Sequence, residues 1–246
     1  MRSVRTALRV LEAVAEFQPI GLSELSRKLE LPKTTVQRGL ASLAEDGWLE
    51  QDPTDASRWM VGTKAFVVGS TVGDRGGLRA RALPYMNGLA ADVGETIHLA
   101  IPDGGWAVLV ERIDSTHPVR AFAPLGSRSP LHASSNGKVI LAHIPDSELD
   151  EYLAGGLHAV TTKTIIDPAA LREELVAIRS RGYAVADEEL QDGVVSVAAP
   201  IRPRGGPAIA SLSISGPTSR MAAALLAEYG GKVSAVAEAI AAGLVR

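Results

Sequence analysis

The segment LPKTTVQRGLASLAEDGWLE, Leu31 to Glu50, begins with polar side chains and continues with apolar residues at helical spacing. Pro32 suits the first turn of a helix, where its missing N–H costs no hydrogen bond. Val36, Leu40 and Leu43 predict the buried side of this helix. The exposed face and first two turns would carry hydroxyl, amide and cationic groups, from Lys33, Thr34, Thr35, Gln37 and Arg38.

Two further helices are predicted before this segment. The buried stripe of the first is predicted to be Val4, Leu8, Leu11 and Ala15. A second, short helix is marked by Leu22, Leu25 and Leu29. Gly39 in the third helix would let another helix approach closely. Three compact helices of this kind form a helix-turn-helix, whose third helix enters the major groove of DNA.

The sequence after Gly47 predicts a wing. Trp48 to Gln51 and Arg58 to Val61 read as two short strands joined by a turn. Threonine and lysine can bind phosphate oxygens, whereas Gln37 and Arg38 can make bidentate contacts with adenine and guanine edges. The candidate DNA-binding residues are Lys33, Thr34, Thr35, Gln37, Arg38 and Arg58. The alternative for a polar helix face is that it is simply solvated.

Charge gives no overall attraction to nucleic acid. The 246 residues carry a formal net charge of −3, and residues 1–62 hold eight basic and nine acidic side chains. DNA affinity would therefore depend on where the cations lie. A dimer on two half-sites, about one helical turn apart, would double the phosphate contacts.

Composition narrows the function classes. The chain has no cysteine, which excludes disulfides, thiolate zinc sites and a cysteine nucleophile. We find no catalytic motif of the kinds G-x-S-x-G, H-E-x-x-H, P-loop or G-x-G-x-x-G, and the five histidines lack metal-ligand spacing. We expect no enzyme activity, no cofactor and no metal. No apolar run is long enough to cross a membrane, so we expect a cytoplasmic protein with no membrane partner.

The rest of the chain predicts a second domain. Residues 63–93 read as helical in two pieces, interrupted by GDRGGLR (73–79), which is either a hinge or an ordinary turn. Strands are predicted at 95–101, 106–113, 119–124, 183–187, 194–201 and 208–215. Helices are predicted at 134–142, 146–153, 168–181 and in the Ala/Leu-rich C-terminal segment. This order indicates an α+β domain with one antiparallel sheet partly covered by helices.

Hydroxyl groups mark a candidate ligand site in this second domain. Ser211, Ser213 and Ser215 alternate along one strand and therefore share a face, and Ser196 interrupts an apolar strand. Such a face would suit a small polar ligand, and the helix start at residues 134–137 could offer backbone N–H groups to a carboxylate. The alternative is a face that is wet or bonded to the backbone.

The ordered motifs together resemble the IclR family of bacterial transcription regulators across essentially the whole chain. The matching stretches are SVRTALRVLEAV, LSELSRKLELPKTTVQRGLASLAEDGWLE, GETIHLAI, PLHASSNGK, RGYAVADEELQDGVVSVAAPI and SLSISGPTSR. The resemblance implies a winged helix-turn-helix in residues 1–62, a linker helix in 63–77 and a GAF-like effector-binding domain in 78–246. It also implies dimers or dimers of dimers, and effectors that are small carboxylates or aromatic acids.

The resemblance also assigns roles to individual residues. Lys33, Thr34, Thr35, Gln37 and Arg38 fall on recognition-helix positions. The effector-binding candidates are Ser135, Asn136, Asp187, Ser196, Ser213 and Ser215. Ser196 stands where family members often have cysteine, and Asp187 lies beside an acidic contact position that is Ala186 here. These two departures change the polar contacts that a pocket would offer.

The resulting hypothesis is a DNA-binding repressor whose operator affinity is modulated by a small organic acid. An activator of the same family is the first alternative. A small-molecule-binding adaptor without DNA binding is another. The third is an enzyme with a winged-helix appendage, for which no catalytic constellation is visible.

Overall fold

The computed structural model describes residues 2–73 and 77–244, and the chain divides into two units, Met1–Arg75 and Gly76–Arg246. Three residues of the predicted hinge GDRGGLR, 74–76, lie outside the described residues. Each unit has its own core.

The first unit is a winged helix-turn-helix, as predicted. Its elements are α1 (Arg2–Phe17), β1 (Ile20–Gly21), α2 (Leu22–Leu29), α3 (Lys33–Glu45), β2 (Leu49–Gln51), β3 (Arg58–Val61) and α4 (Thr63–Gly73). The three strands form an antiparallel sheet in the order β1-β3-β2. The predicted stripe of α3, Val36, Leu40 and Leu43, is buried.

The predicted buried stripe of α1 is wrong except at Leu11, which is partly buried against the core. Val4 and Leu8 are 64% and 51% exposed, and the core is instead filled by Val10, Ala13 and Val14. Helix α1 contacts α3 through Val10, whose side chain would lie 3.3 Å from a Cβ placed on Gly39. The close approach predicted for Gly39 is thus confirmed. Two apolar stripes are compatible with the sequence of α1, and the α3 contact selects the other one.

The second unit contains five α-helices and a six-stranded sheet within the described residues. The helices are α5 (Leu78–Val93), α6 (Ser135–Leu141), α7 (Asp146–Ala154), α8 (Pro168–Arg181) and α9 (Ala223–Gly243). The strands are β4 (Thr96–Asp103), β5 (Trp106–Ile113), β6 (Arg128–Pro130), β7 (Ala184–Asp187), β8 (Val194–Ile201) and β9 (Ala210–Pro217). All are antiparallel, in the order β6-β5-β4-β9-β8-β7.

Helices cover both faces of this sheet. On one face, α5 and α9 pack on the apolar positions of the central strands, such as Ile97 and Leu212. On the other, α6, α7 and α8 pack on small residues such as Ala100 and Ala198. Successive strand residues alternate between the two faces of the sheet. The strand residues next to Ile97 and Leu212 therefore point toward α6. That second face includes the hydroxyl positions singled out in the sequence.

The strand predicted at 119–124 is absent. Residues 114–127 form an irregular segment, and the edge strand β6 begins only at Arg128. The alternation of apolar residues suggested a strand, but the segment leaves Val119 and Phe122 largely exposed.

Crossing a bilayer needs a length and apolar character that we find in no helix of the described chain.

Candidate functional site

The polar face of α3 is free. Lys33, Thr34, Gln37 and Arg38 are exposed, and Thr35 is half-buried. Within residues 2–73 and 77–244, no hydrogen bond or ion pair engages the side chains of Lys33, Gln37 or Arg38. This face can therefore form new contacts without breaking existing ones, and it carries the donors and the amide acceptor that base edges and phosphates require.

Arg58 differs from these residues because it already has a partner. It lies at the start of β3, and its Nη2 is 3.6 Å from Oε2 of Glu24 on α2. The wing turn itself is fixed by carboxylates. Asp52 accepts hydrogen bonds from the hydroxyl and the backbone N–H of Thr54, and these bonds lower the pKa of that carboxyl.

The second unit contains a cavity of about 230 Å³ on the sheet face that bears α6. Several strands contribute to its wall, together with the start of α6 and the segment before β6. Four of the predicted effector-binding residues line it, namely Ser135, Asn136, Ser196 and Ser215. Most of the remaining wall is apolar and includes Leu109, Phe122 and Leu190. The volume lies below the roughly 300–1,000 Å³ of sites for drug-sized ligands, so it suits a small molecule.

Hydrogen bonds join the helix to the sheet at this cavity. The Ser135 hydroxyl donates to Oγ of Ser196 at 2.7 Å, and Nδ2 of Asn136 donates to Oγ of Ser213 at 2.9 Å. Ser213 is fully buried and does not line the cavity, and its hydroxyl accepts the hydrogen bond that holds the Asn136 side chain. Strand register explains the grouping, since Ser196 lies directly opposite Ser215 in the β8–β9 pair.

The structure does not bring Asp187 to the cavity, which corrects the placement expected from the sequence. Its side chain is 60% exposed and lies 3.7 Å from Nζ of Lys163. The preceding residue, Ala186, lines the cavity, and neighbouring strand residues point to opposite faces. The Asp187 side chain therefore points away from the cavity.

Sequence reasoning missed His98 and Arg128 as cavity residues. His98 is 8% exposed, and its Nδ1 lies 3.2 Å from Oγ of Ser215. Burial, and secondarily the charge of Arg112, lowers the His98 pKa to about 4, so the imidazole is neutral at physiological pH. Arg128 also lines the wall, and its Nη2 lies 2.8 Å from Oδ2 of Asp103.

A signal for His98 was present in the sequence. It stands between Ile97 and Leu99, which belong to the core on the opposite face, so alternation alone directs it toward the serines. His98 does not pair with His132. His132 contacts the Tyr152 hydroxyl and the carbonyl oxygen of His158 instead.

A buried ion pair joins α6 to the segment that follows β7. Nζ of Lys138, which is 1% exposed, donates to both carboxylate oxygens of Glu189 at 2.6 and 2.8 Å and to the carbonyl oxygen of Val185 at 2.6 Å. Burial raises the pKa of Glu189, and Lys138 opposes that shift. Leu190, the next residue, lines the cavity, so the pair connects α6 to another part of the wall.

Comparison with protein families gives two matches. Residues 3–53 match the model described as the IclR helix-turn-helix domain. Residues 71–242 match the model for the C-terminal region of the bacterial transcriptional regulator IclR.

Individual proteins agree with these matches. The regulator BhcR of Paracoccus denitrificans is 38% identical over 99% of this chain and 88% of its own length. The transcriptional repressor IclR of Escherichia coli is 33% identical over 98% of this chain and 89% of its own. An IclR homologue from Microbacterium hydrocarbonoxydans, solved with 4-hydroxybenzoate, superposes with a TM-score of 0.83 at 27% identity, covering 98% and 99% of the two chains.

Proposed function

The chain belongs to the IclR family of bacterial transcription regulators, and we propose that it is a repressor whose affinity for its operator is set by a small organic acid. Its relatives are transcription regulators and not enzymes, as predicted. We assign DNA binding to residues 1–62, a linker role to 63–77 and effector binding to 78–246.

The observation that carries the DNA half of the proposal is the free polar face of α3. Gln37 and Arg38 are exposed and unpaired among the described residues, and they match the base-reading position of a recognition helix. Lys33, Thr34 and Thr35 would contact phosphates at the start of the same helix. Arg58 would join them from the wing once its ion pair with Glu24 opens.

Exposed apolar residues in the first unit support self-association. Val4 and Leu8 form an exposed stripe on α1, and α4 exposes Phe66 and Val67, the former by 76%. Large apolar side chains on one small unit favour burial against a second copy. A dimer, or a dimer of dimers, would carry two recognition helices to two half-sites of an operator.

The cavity supports the effector half of the proposal. Ser135, Asn136, Ser196 and Ser215 supply hydrogen-bonding groups, and Arg128, which also lines the wall, would pair with an anion once its ion pair with Asp103 opens. The neighbour solved with 4-hydroxybenzoate binds an acid that carries an apolar ring. The Leu109 and Phe122 part of the wall suits such a ring or a short alkyl chain.

Effector binding would regulate DNA binding by favouring one arrangement of the two DNA-binding units over another. A tenfold loss of operator affinity needs a differential binding energy of about 1.4 kcal/mol between the two arrangements. That is within the range of a few hydrogen bonds that form in only one state. A regulator of this kind works in the cytoplasm, where the chromosome lies.

The test is a band-shift titration at fixed salt with DNA from upstream of the gene and of its neighbours. We expect Arg38→Ala to weaken specific binding by about 1–3 kcal/mol and to relax selectivity at one base pair. The matched control is Arg172→Ala, which removes the same charge from an exposed position on α8. Equal effects of the two variants would remove Arg38 from the reader role.

The same assay separates the alternatives. Small acids that release the operator support a repressor, whereas transcription that requires the protein identifies an activator. An adaptor would show no salt-sensitive binding to any of these DNA segments. If an acid releases the protein from the operator and the amount of that acid stays constant, the result supports regulation rather than turnover.

A further inference from the structure

Two buried polar atoms of the cavity residues have no hydrogen-bond partner within the described parts of the chain. They are Nε2 of His98 and Oδ1 of Asn136, and both side chains line the cavity. The other polar atom of each is already used, since Nδ1 of His98 contacts Ser215 and Nδ2 of Asn136 donates to Ser213. A buried polar atom without a partner is costly, so each of these two calls for a partner that the chain does not supply.

The unpaired atoms form a donor and an acceptor. His98 is neutral, and when the Ser215 hydroxyl donates to Nδ1, the proton of the ring lies on Nε2. Oδ1 of Asn136 can only accept. With this tautomer of His98, a ligand that satisfies both atoms must accept one hydrogen bond and donate another.

From this pair we infer that the effector carries a hydroxyl group in addition to its carboxylate, and that His98 and Asn136 bind this hydroxyl. The inference rests on the proposed function, because it takes the cavity to be the effector site. A carboxylate has no hydrogen to donate to Asn136, so it satisfies only one of the two atoms. An ether or a ketone likewise accepts from His98 and leaves Asn136 unpaired.

His98 and Asn136 thus act as specificity-determining residues. A site built to hydrogen-bond a hydroxyl rejects the analogue that lacks it, because the groups of the site are then left buried and unpaired. The carboxylate would bind elsewhere at the wall, where Arg128 lies. The effector class is therefore a small hydroxy acid.

Calorimetric titration of the full chain at pH 7.5 tests this inference with matched probes. One set is benzoate, 4-hydroxybenzoate and 4-methoxybenzoate, and the other is propionate, 3-hydroxypropionate and 3-methoxypropionate. We expect the hydroxy acid of at least one set to bind at least tenfold more tightly than both of its analogues. His98→Phe should reduce that advantage to less than threefold.

Two further variants keep the test decisive. Asn136→Ala, at a half-exposed position, should reduce the hydroxyl preference in the same way if His98→Phe fails to fold. Ser211→Ala is the matched control, because Ser211 is fully buried on the neighbouring strand without lining the cavity, and it should keep the wild-type preference. Circular dichroism of each variant verifies folding.

The outcomes distinguish this inference from the proposed function. If an acid releases the operator but the hydroxy acids have no advantage in the wild type, the inference is wrong and the proposed function stands. If the advantage survives both His98→Phe and Asn136→Ala, His98 and Asn136 do not bind the hydroxyl. If none of the six acids binds, the inference and the acid-effector proposal fail together, and operator binding is judged by the band shift alone.

Discussion

The hydroxyl of Ser135, the first residue of α6, lies 2.7 Å from the hydroxyl of Ser196 on β8. This bond joins the helix to the sheet at the polar side of the cavity. Because Ser135 is buried, loss of the acceptor leaves its hydroxyl without that partner. Ser196 is thus part of the support of the site.

We therefore expect Ser196→Ala to lower the free energy of unfolding by about 0.5–1.5 kcal/mol, the usual net value of one hydrogen bond. The free energy of unfolding of Ser196→Cys should lie between those of the wild type and Ser196→Ala, since a thiol is a weaker acceptor. Urea unfolding measures both. Ser180→Ala, on the exposed side of α8, serves as the control and should change stability little. An equal change in the Ser180 and Ser196 variants would contradict this role.

The Lys138–Glu189 pair should be the most sensitive polar contact of the second unit. Lys138→Met leaves the Glu189 carboxylate, whose side chain is 11% exposed, without its cation. We expect a loss of about 3–5 kcal/mol in the free energy of unfolding, as for other buried pairs that lose one partner. The double variant Lys138→Met, Glu189→Leu should recover most of that loss.

Lys163→Met provides the comparison for this prediction. Lys163 pairs with Glu188 at the surface, where solvent screens the interaction, so its removal should matter far less. Urea unfolding of the three variants measures the difference. A Lys138 variant as stable as the Lys163 variant would show that the buried pair does not hold α6.

Gly137 should tolerate no side chain. A Cβ on this residue would lie 2.3 Å from both the Cα and the carbonyl oxygen of Leu131, which are backbone atoms and cannot rotate away. Gly137→Ala must therefore shift α6, with an expected loss of about 1–3 kcal/mol and weaker effector binding. Gly88→Ala on α5 meets nothing within 4 Å and should instead stabilise by about 0.5–1 kcal/mol. Thermal unfolding that gives both variants the same sign would contradict the steric argument.

Local signals predicted much of the fold. Strands Arg58–Val61, Trp106–Ile113 and Val194–Ile201, and helix Pro168–Arg181, have the bounds expected from the sequence. Each combines a clear apolar period with a turn or cap residue at its ends. In α8, for example, the side chain of Asp167 accepts a hydrogen bond from the N–H of Ala170.

What could not be predicted depends on contacts between distant residues. The buried side of α1 is set by Val10 against Gly39, and no local pattern distinguishes that stripe from the one through Val4. The Lys138–Glu189 pair joins residues 51 positions apart and was not anticipated. Asp187 was misplaced because the register of β7 decides which of two neighbouring residues faces the cavity.

His98 should make the protein less stable in acid. Burial lowers its pKa from about 6.5 to about 4, so the unfolded chain binds a proton at a higher pH than the folded chain does. Stability contributed by neutral His98 is then present above pH 6.5 and is lost as the pH falls toward 4. The full difference corresponds to about 3 kcal/mol.

The measurement compares the free energy of unfolding of the wild type and of His98→Gln between pH 4 and 7.5. Glutamine does not titrate, so the wild type should lose stability relative to the variant as the pH falls. Ser211→Ala, which removes no titrating group from the same sheet face, should keep the wild-type slope. Parallel curves for the wild type and His98→Gln would mean that His98 binds its proton equally well in both states.

Glu24 should restrain DNA binding through Arg58. Its carboxylate lies 3.6 Å from the Arg58 guanidinium, and both side chains are about 40% exposed. Glu24→Gln removes this competitor for the cation and one negative charge from the DNA-binding unit. We expect operator affinity to rise about two- to fivefold, the scale of an exposed ion pair. The dependence of log affinity on log salt should steepen by about one phosphate contact.

A double-mutant cycle in the same band-shift assay identifies the cause. If Arg58 forms the additional phosphate contact, Glu24→Gln should have little effect on affinity or salt dependence in an Arg58→Ala background. Glu173→Gln, on the exposed side of α8, removes the same charge from the other unit and should leave both unchanged. An equal gain with and without Arg58 would assign the effect to the charge of Glu24 itself, and the wing arginine would then have no place among the DNA contacts.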